Sequence, residues 1–186
     1  MKTLARPGLL GLCVSAFLMG ASSTAIWTFG ADILRDELAF AETRIALAWV
    51  VLGAAGVLGS ATGLLTARYG VGCVHRLALL GMALGTVGLA AATKAPILAF
   101  AAMGLFGATY IISTGALLIQ GVACLPHRPD LGLGIPFLAI AFGQTLGAPL
   151  FGAVLETMGS GTALLSFAAV ACIAMVWRAE EQFAGG

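Results

Sequence analysis

The stretch GIPFLAIAFGQTLGAPLFG, residues 134–152, is uncharged and long enough to cross a lipid bilayer. Gly143 and Gly147 lie four residues apart, so they share one helix face and allow a neighbouring membrane helix to approach closely. Pro149 has no amide hydrogen, so the carbonyl of Thr145 loses its partner within the helix. In lipid that carbonyl needs protein or water as a partner. The stretch predicts a tightly packed, bent membrane helix that faces a polar space, although packing alone also explains its glycines and proline.

The composition is typical of an integral membrane protein. Of 186 residues, 60% are apolar and only 9% are charged, whereas ordinary soluble domains carry roughly 25% charged residues. The net charge of +1 provides no basic surface for nucleic acid. The cysteines are widely spaced and lack the spacing of metal ligands, so we predict no metal and no other cofactor. They are Cys13, Cys73, Cys124 and Cys172.

Six uncharged runs reach or approach the roughly 20 apolar residues that a spanning helix needs. The third run is short, and the fourth is long enough to tilt. We expect a short interfacial helix in segment 31–44, between the first two runs. The runs are 8–30, 45–67, 77–93, 97–125, 131–155 and 157–177.

The predicted fold class is therefore all-α, with a bundle of six transmembrane helices over residues 8–177. A cytoplasmic segment, 1–7, precedes the bundle, and a cytoplasmic tail, 178–186, follows it. The first run is also compatible with a secretory signal peptide, because basic residues precede it and small residues follow. Its apolar stretch continues through Trp27, an aromatic typical of the membrane interface, and this favours a retained helix.

Basic residues predict the orientation of the helices. With a cytoplasmic N-terminus, the cytoplasmic segments hold more Lys and Arg than the outer ones, as the positive-inside rule requires. We expect a multi-pass protein of the cell membrane, inner or plasma, with both termini in the cytoplasm. This topology places His75 and His127 in cytoplasmic loops. The cytoplasmic basic residues are Lys2, Arg6, Arg68, Arg76, Arg128 and Arg178, and the outer ones are Arg35, Arg44 and Lys94.

Polar side chains are unevenly shared among the runs. The fourth run carries Tyr110, Ser113 and Thr114 on one helix face. The first run carries Ser23, and the fifth carries Gln144. Because an unpartnered hydroxyl or amide in lipid is costly, we expect runs one, four and five to face an interior and runs three and six to face lipid. The alternative is that the hydroxyls bond only to carbonyls of their own helix.

No Asp, Glu, Lys, Arg or His lies in the middle of a run. A charge at a helix centre costs roughly 2.5–3.5 kcal/mol on insertion scales and is kept mainly for function. We therefore predict that the chain supplies no proton carrier at the bilayer midplane. Asp32 and Glu156, near the outer ends, are the two candidate exceptions, and Arg35 or Arg44 can pair with them. The favoured alternative is a solvated charge cluster at the interface.

The connection between the second and third runs, GLLTARYGVGCVHR from Gly63 onward, has a recognisable pattern. It resembles the cytoplasmic loop motif of the major facilitator superfamily, Gly-x-Leu-Ala-Asp-Arg-x-Gly-Arg-Arg. Gly63, Leu65, Arg68 and Gly70 match in register. Ala67 replaces the aspartate, so the salt-bridged gate latch of the family is not expected here. Such a degenerate copy is typical of the second half of that family's chains.

The stretch at 134–152 resembles a second motif of that family, Gly-x8-Gly-x3-Gly-Pro-x2-Gly-Gly, from the fifth helix of its antiporters. Ala148 is inserted before the proline, and Ala153 replaces the last glycine. In the family this motif belongs to the first half, so the helix here would be its counterpart in the second half. The resemblance therefore supports the fold more than antiport. The matching residues are Gly134, Gly143, Gly147, Pro149 and Gly152.

Together the motifs and the six runs resemble the C-terminal six-helix half of a major facilitator transporter. This resemblance implies transport of a small solute by alternating access, in which two six-helix bundles rock around a central site. The expected lining residues are Ser23, Trp27, Tyr110, Ser113, Thr114 and Gln144. The expected gate and packing residues are Gly63, Arg68, Gly70, Gly143, Gly147 and Pro149.

One half covers only one side of such a cavity, so we predict a second six-helix bundle as partner, either a separate N-terminal half or a second copy. The other expected partners are the lipid bilayer and a small-molecule substrate of unknown identity. If transport is proton-coupled, the titrating group is predicted to lie on the partner half.

The alternatives are a non-transporting membrane subunit or an inactive fragment of a transporter gene. A channel is less favoured, because no re-entrant loop with paired short motifs is visible. We predict no enzyme, because both histidines are placed in loops and no Gly-x-Ser-x-Gly elbow is present.

Overall fold

The computed structural model describes residues 8–176, which form eight α-helices and no strand. The six predicted runs are all helical. The second run comprises α3 and α4, the other runs are single helices, and α2 is the short helix expected between the first two runs. The helices are α1 Leu9–Trp27, α2 Gly30–Asp36, α3 Glu42–Gly56, α4 Thr62–Tyr69, α5 Val71–Ala91, α6 Ile97–Cys124, α7 Pro129–Met158 and α8 Ser160–Ala174.

Five helical segments are long and apolar enough to cross a membrane. The sixth run forms α8, whose 15 residues are fewer than the roughly 20 that a span needs. The predicted terminal segments 1–7 and 178–186, and Trp177 at the end of the sixth run, lie outside the described residues. The five segments are Leu9–Asp36, Glu42–Tyr69, Val71–Ala91, Ile97–Cys124 and Pro129–Met158.

Large apolar side chains cover the outside of the bundle. Leu64 is 74% exposed, Ile97 is 74% exposed and Val176 is 76% exposed. In water such a surface would promote association, whereas lipid tails cover it without that penalty because they are equally apolar. The long helices and this surface are compatible with a multi-pass membrane protein.

The second span is interrupted where it packs against α6. α3 ends at Gly56, residues Val57–Ala61 form a 3₁₀ turn, and α4 begins at Thr62. A methyl group at Gly59 would overlap the side chain of Ile111 in α6. The absence of a side chain at this glycine therefore lets the interrupted segment approach α6.

Single glycines turn the chain at two places. Gly70 joins α4 to α5 with φ 81° and ψ 146°, and Gly159 joins α7 to α8 with φ 83° and ψ 167°. Only glycine adopts this region at little cost, because it has no Cβ. The first turn is shorter than segment 68–76 between the second and third predicted runs, since α4 continues through Arg68 and Tyr69 and α5 already begins at Val71.

The helices pack in a reciprocal pattern. We call the first three runs (α1, α3–α4 and α5) the first triplet and the last three (α6, α7 and α8) the second triplet. α1 packs mainly against α7 and α8, α6 packs mainly against α3 and α5, and α5 also meets α8. The leading helix of each triplet therefore packs against the last two helices of the other triplet.

α5 is more buried than its few polar side chains had predicted, although an apolar stripe that includes Leu77 stays exposed. Ten of its 21 residues are buried, including Thr86. Ala83 of α5 packs with Ala168 and Ala171 of α8. Small side chains determine how closely membrane helices pack, so the polar content of a run is a poor guide to its position.

α1 and α7 approach each other backbone to backbone. A methyl group at Gly143 would overlap the carbonyl oxygen of Phe17, and one at Gly147 would lie 2.8 Å from the Cα of Ala21. The neighbour at the predicted glycine face is therefore α1. α7 is helical over its full length, including Pro149.

Candidate functional site

Two helix faces that carry polar side chains among apolar ones meet between α1 and α6. Residues at every fourth position share a face of α1, and a matching face of α6 lies opposite. Hydrogen bonds along this seam form two clusters, one around Gln144 and one around His75. The α1 face carries Ser15, Met19, Ser23 and Trp27, and the α6 face carries Phe106, Tyr110, Ser113 and Leu117.

Gln144 brings together two other predicted lining residues. Its Nε2 donates to Ser23 Oγ at 3.2 Å and to the Tyr110 hydroxyl at 3.3 Å, so both of its N–H groups are used. We call Ser23, Tyr110 and Gln144 the amide cluster, which joins α1, α6 and α7. Ser23 donates its own proton to the Gly20 carbonyl at 2.7 Å. Among the described residues, none donates to the Gln144 carbonyl oxygen, which leaves that atom as an acceptor for a solute.

Aromatic rings border the amide cluster. The centroid of the Trp27 ring lies 5.3 Å from that of Tyr110 and 5.6 Å from that of Trp49. Trp27 is 37% exposed, so a partly open indole lies beside Tyr110 of the amide cluster. Aromatic surface with a few hydrogen-bonding groups is the lining typical of small-molecule sites.

Two predicted lining residues do not join the amide cluster through hydrogen bonds. Thr114 donates to the backbone carbonyl of Tyr110 at 2.9 Å, and Ser113 contacts His75 instead. Most described Ser and Thr hydroxyls bond to a backbone carbonyl three or four residues earlier in the chain, close to the alternative interpretation of the sequence. Those hydroxyls belong to Ser22, Ser23, Thr24, Thr62, Thr66, Thr86, Thr93, Thr109, Thr114, Thr145, Thr157 and Ser166.

His75 lies inside α5 and is only 5% exposed, so its predicted position in a cytoplasmic loop is wrong. Its Nδ1 is 2.8 Å from Ser113 Oγ in α6, and its Nε2 is 2.8 Å from Ser15 Oγ in α1. Ser15 also donates to the carbonyl of Ala174, at the end of α8, at 3.1 Å. These residues and Met19 form what we call the imidazole cluster, which joins α1, α5, α6 and α8.

The hydrogen bonds of the imidazole cluster define one tautomer of His75. Ser15 donates its proton to the Ala174 carbonyl, so its oxygen can only accept from Nε2–H. Nδ1 is then the acceptor for the Ser113 hydroxyl. The Met19 sulfur lies 3.3 Å from the same hydroxyl and is a second, weaker acceptor. A neutral imidazole therefore satisfies every polar side chain of the cluster.

The start of α5 explains why the sequence did not reveal this cluster. The third run starts at Leu77 in the sequence interpretation, because Arg76 and the glycines of the loop motif precede it. Arg76 is exposed, and its Nε donates to the Gly72 carbonyl at 3.1 Å, so its charge does not interrupt the helix. A helix that begins directly after Gly70 places His75 in its second turn, and this is the signal that could have found it.

A serine hydroxyl beside an imidazole is also the arrangement of a nucleophile with its base. The position of His75 therefore removes one argument against an enzyme. The cluster is closed to substrate in this conformation, because Ser15 is 2% exposed, Ser113 is 0% exposed and His75 is 5% exposed. Over residues 8–176, no group of His, Cys, Asp or Glu side chains could hold a metal ion.

The predicted gate residues of the loop motif lie on the surface. A methyl group at Gly63 would meet open space, and the Arg68 guanidinium lies 5.2 Å from the Tyr69 ring centroid. No ion pair joins Arg68 to another described residue, and Ala67 occupies the position of the motif's aspartate. Pro149 is exposed as well, so it is not part of the close contact between α7 and α1.

Part of the predicted charge cluster forms around α2, while Glu156 and Arg44 form no ion pair with another described residue. Arg35 pairs with Asp32 at 2.9 Å and with Glu42 at 2.9 Å, and all three side chains are exposed. Exposed pairs of this kind contribute little to stability. The cluster is therefore a solvated surface feature.

Comparison of the chain with protein-family models, curated proteins and solved structures found no match. The fold and the sites define a bundle of helices with membrane-spanning length, a partly open amide cluster and a closed imidazole cluster.

Proposed function

We propose that the chain is one half of a secondary transporter of the major facilitator type, which moves a small solute by alternating access. The observation that carries this proposal is the reciprocal packing of the two triplets. Short connections make consecutive helices alternate in direction, so the second triplet has the inverted topology of the first. Inverted three-helix repeats within a six-helix half characterise this class of transporter. The similar glycine turns at Gly70 and Gly159 also fit such a repeat.

The amide cluster is the proposed solute site. It connects α1 and α6, the leading helices of the two triplets, with α7. Transporters of this class bind their substrate at the interface of such repeats, near the bilayer midplane. In this proposal the Gln144 carbonyl accepts a hydrogen bond from the solute, and the indole of Trp27 contacts its apolar part. α7 acts as the gate helix, which moves against α1 at Gly143 and Gly147.

The second six-helix bundle of the proposal covers the open side of Trp27 and of α7. It is either a separate N-terminal half or a second copy of the chain. The complete transporter is proposed to lie in the cell membrane with both chain termini in the cytoplasm. It needs no enzymatic activity and no cofactor.

A binding screen tests the solute site. Purified chain is heated with members of a panel of small neutral solutes, and the unfolding temperature is compared with that of two variants. A solute that binds should stabilise the parent and Thr145→Val, but not Gln144→Met. A ligand at 100 times its dissociation constant contributes about 2.7 kcal/mol. Thr145 is the matched control, because it is the next residue, is exposed and bonds to its own helix.

Flux measurements on the same solute distinguish the kinds of transport. Saturable uptake into liposomes that contain the chain and its partner bundle supports a carrier. Unsaturable, ion-selective flux would contradict the proposal in favour of a channel. Stabilisation of Gln144→Met equal to that of the parent would exclude the amide cluster as the site.

A further inference from the structure

We propose that the imidazole cluster is a proton-binding latch. With His75 neutral, the cluster holds α1, α6 and α8 on α5, and binding of a proton at Nδ1 releases them. The latch depends only on the packing of the bundle, whether or not the chain transports a solute.

The side chain of His75 connects α5 to three other helices, two of them directly and one through Ser15. Nδ1 contacts Ser113 of α6, and Nε2 contacts Ser15 of α1. Ser15 in turn donates a hydrogen bond to the Ala174 carbonyl at the end of α8. α1 and α6 are the leading helices of the two triplets. A change in the hydrogen bonding of this ring therefore acts on both triplets at once.

Protonation reverses the direction of one hydrogen bond. In the neutral ring Nδ1 accepts from the Ser113 hydroxyl, whereas a proton taken up from water makes Nδ1 a donor. The hydroxyl must then turn away, and the acceptor within its reach is the Met19 sulfur at 3.3 Å. Thioether sulfur is a weak acceptor, so the Ser113 hydroxyl is satisfied less well once the ring is charged.

Within residues 8–176, the helices around His75 offer no counter-ion for a protonated ring. α1, α6 and α8, which pack against His75, contain no Asp, Glu, Lys or Arg. Arg68 of α4 and Arg76 of α5 are exposed and carry the same sign of charge as the protonated ring. The remaining titratable side chains on α1, α5, α6 and α8 are Cys13, Cys73, Tyr110, Cys124 and Cys172.

A buried charge without a partner is costly, and water entering an opened cluster lowers that cost. The opened arrangement therefore binds the proton better than the closed one. By linkage, falling pH must favour opening. A purely structural histidine would instead leave the packing unchanged while the rest of the protein stays folded.

The test uses a reporter cysteine at Ala174, which is 0% exposed and contributes only its backbone carbonyl to the cluster. The four native cysteines are replaced by alanine, and Ala174→Cys is labelled with a membrane-impermeant methanethiosulfonate. Labelling runs from about pH 8 to about pH 5, the range in which histidine titrates. Each rate is divided by the rate for the unfolded chain at the same pH, which removes the pH dependence of the thiol itself.

We expect the normalised rate to rise as pH falls, by up to about tenfold per pH unit, because the protonated fraction of one group rises no faster. His75→Gln should make the rate independent of pH, since its amide can donate and accept but does not titrate. His127→Gln is the matched control, because His127 is exposed in the connection between α6 and α7, and it should leave the pH dependence unchanged.

A second measurement tests the proton-binding latch if His75→Gln does not fold. The chain has two histidines, so selective ¹⁵N-histidine labelling resolves both rings by NMR. Titration of the His75 ring and the rise in labelling must share one midpoint. A labelling rate that does not depend on pH, that follows the titration of His127, or that keeps its pH dependence in His75→Gln overturns the latch.

Discussion

His75 connects its neighbours through directional contacts between α1, α5 and α6, near the end of α8. Apolar side chains hold helices together without fixing one arrangement, whereas each nitrogen of this ring has one partner on another helix. Interhelical hydrogen bonds in membrane proteins average only about 0.6 kcal/mol. Leaving a buried acceptor without a donor costs more, about 1–3 kcal/mol. Removing the hydrogen-bond partner of one His75 nitrogen should therefore have a larger effect on stability than the hydrogen bond itself contributes.

Ser113→Ala should destabilise the bundle by about 1–3 kcal/mol, because it leaves Nδ1 of His75 without its donor. The measurement is unfolding of the purified chain by denaturing detergent. Thr114→Val is the control on the same helix, since the Thr114 hydroxyl donates to the Tyr110 carbonyl of its own helix and its loss should cost less. Equal effects of the two substitutions would mean that the hydrogen bond between Ser113 and His75 contributes no more to stability than one within a single helix.

Glycines determine how α7 meets its neighbours. Gly143 and Gly147 lie against the α1 backbone, and a methyl group at Gly132 would lie 2.7 Å from the carbonyl oxygen of Gly121 in α6. Gly134 has nothing within 4 Å of the same position. Glycines of one helix therefore differ in role, according to what faces them.

Gly143→Ala should cost about 1–3 kcal/mol of stability, because the added methyl forces α1 and α7 apart. Gly134→Ala is the matched substitution in the same helix, and it should be neutral or stabilising because alanine has the higher helix propensity. Thermal unfolding of both variants in detergent measures the difference. If Gly143→Ala unfolds no earlier than Gly134→Ala, α1 and α7 do not approach as closely as described.

Gly70→Ala should destabilise the connection between α4 and α5 by about 1–3 kcal/mol, because its backbone lies in a region that is essentially restricted to glycine. Gly63→Ala, in the same motif, lies in a helix with open space around it and should be tolerated. Proteolysis at this connection measures local opening. Comparable cleavage of the two variants would show that the turn at Gly70 is not needed.

In the whole molecule, the leading helix of each triplet packs mainly against helices of the other triplet. α1 finds its main neighbours in the second triplet, and α6 finds its main neighbours in the first. Neither triplet can bury its leading helix alone. The six-helix bundle is therefore the smallest unit that satisfies its own packing.

A chain divided in the connection between α5 and α6 should show this dependence. Residues 1–95 and 96–186, expressed separately, should be degraded or aggregate, because each exposes helix faces that the other covers. Expressed together, they should co-purify as one folded complex. Stable accumulation of either part alone, at the level of the intact chain, would contradict the claim that each triplet needs the other to bury its leading helix.

The sequence alone determined the helices and their compatibility with a membrane. These depend on the length and apolar content of local runs, and local properties can be counted along a chain. The amide cluster was partly predictable, because Ser23, Tyr110 and Gln144 are polar residues in apolar helices. The predicted transport function and partner bundle remain proposals.

Only the tertiary structure decided which helices meet and where the polar side chains go. It buried one face of α5 against α6 and α8, directed Ser113 away from the amide cluster and buried His75 between Ser15 and Ser113. The physical reason is that lipid solvates every apolar helix face equally well, so hydrophobicity does not select neighbours. Close packing at small residues and a few interhelical hydrogen bonds make that selection, and both depend on residues far apart in the chain.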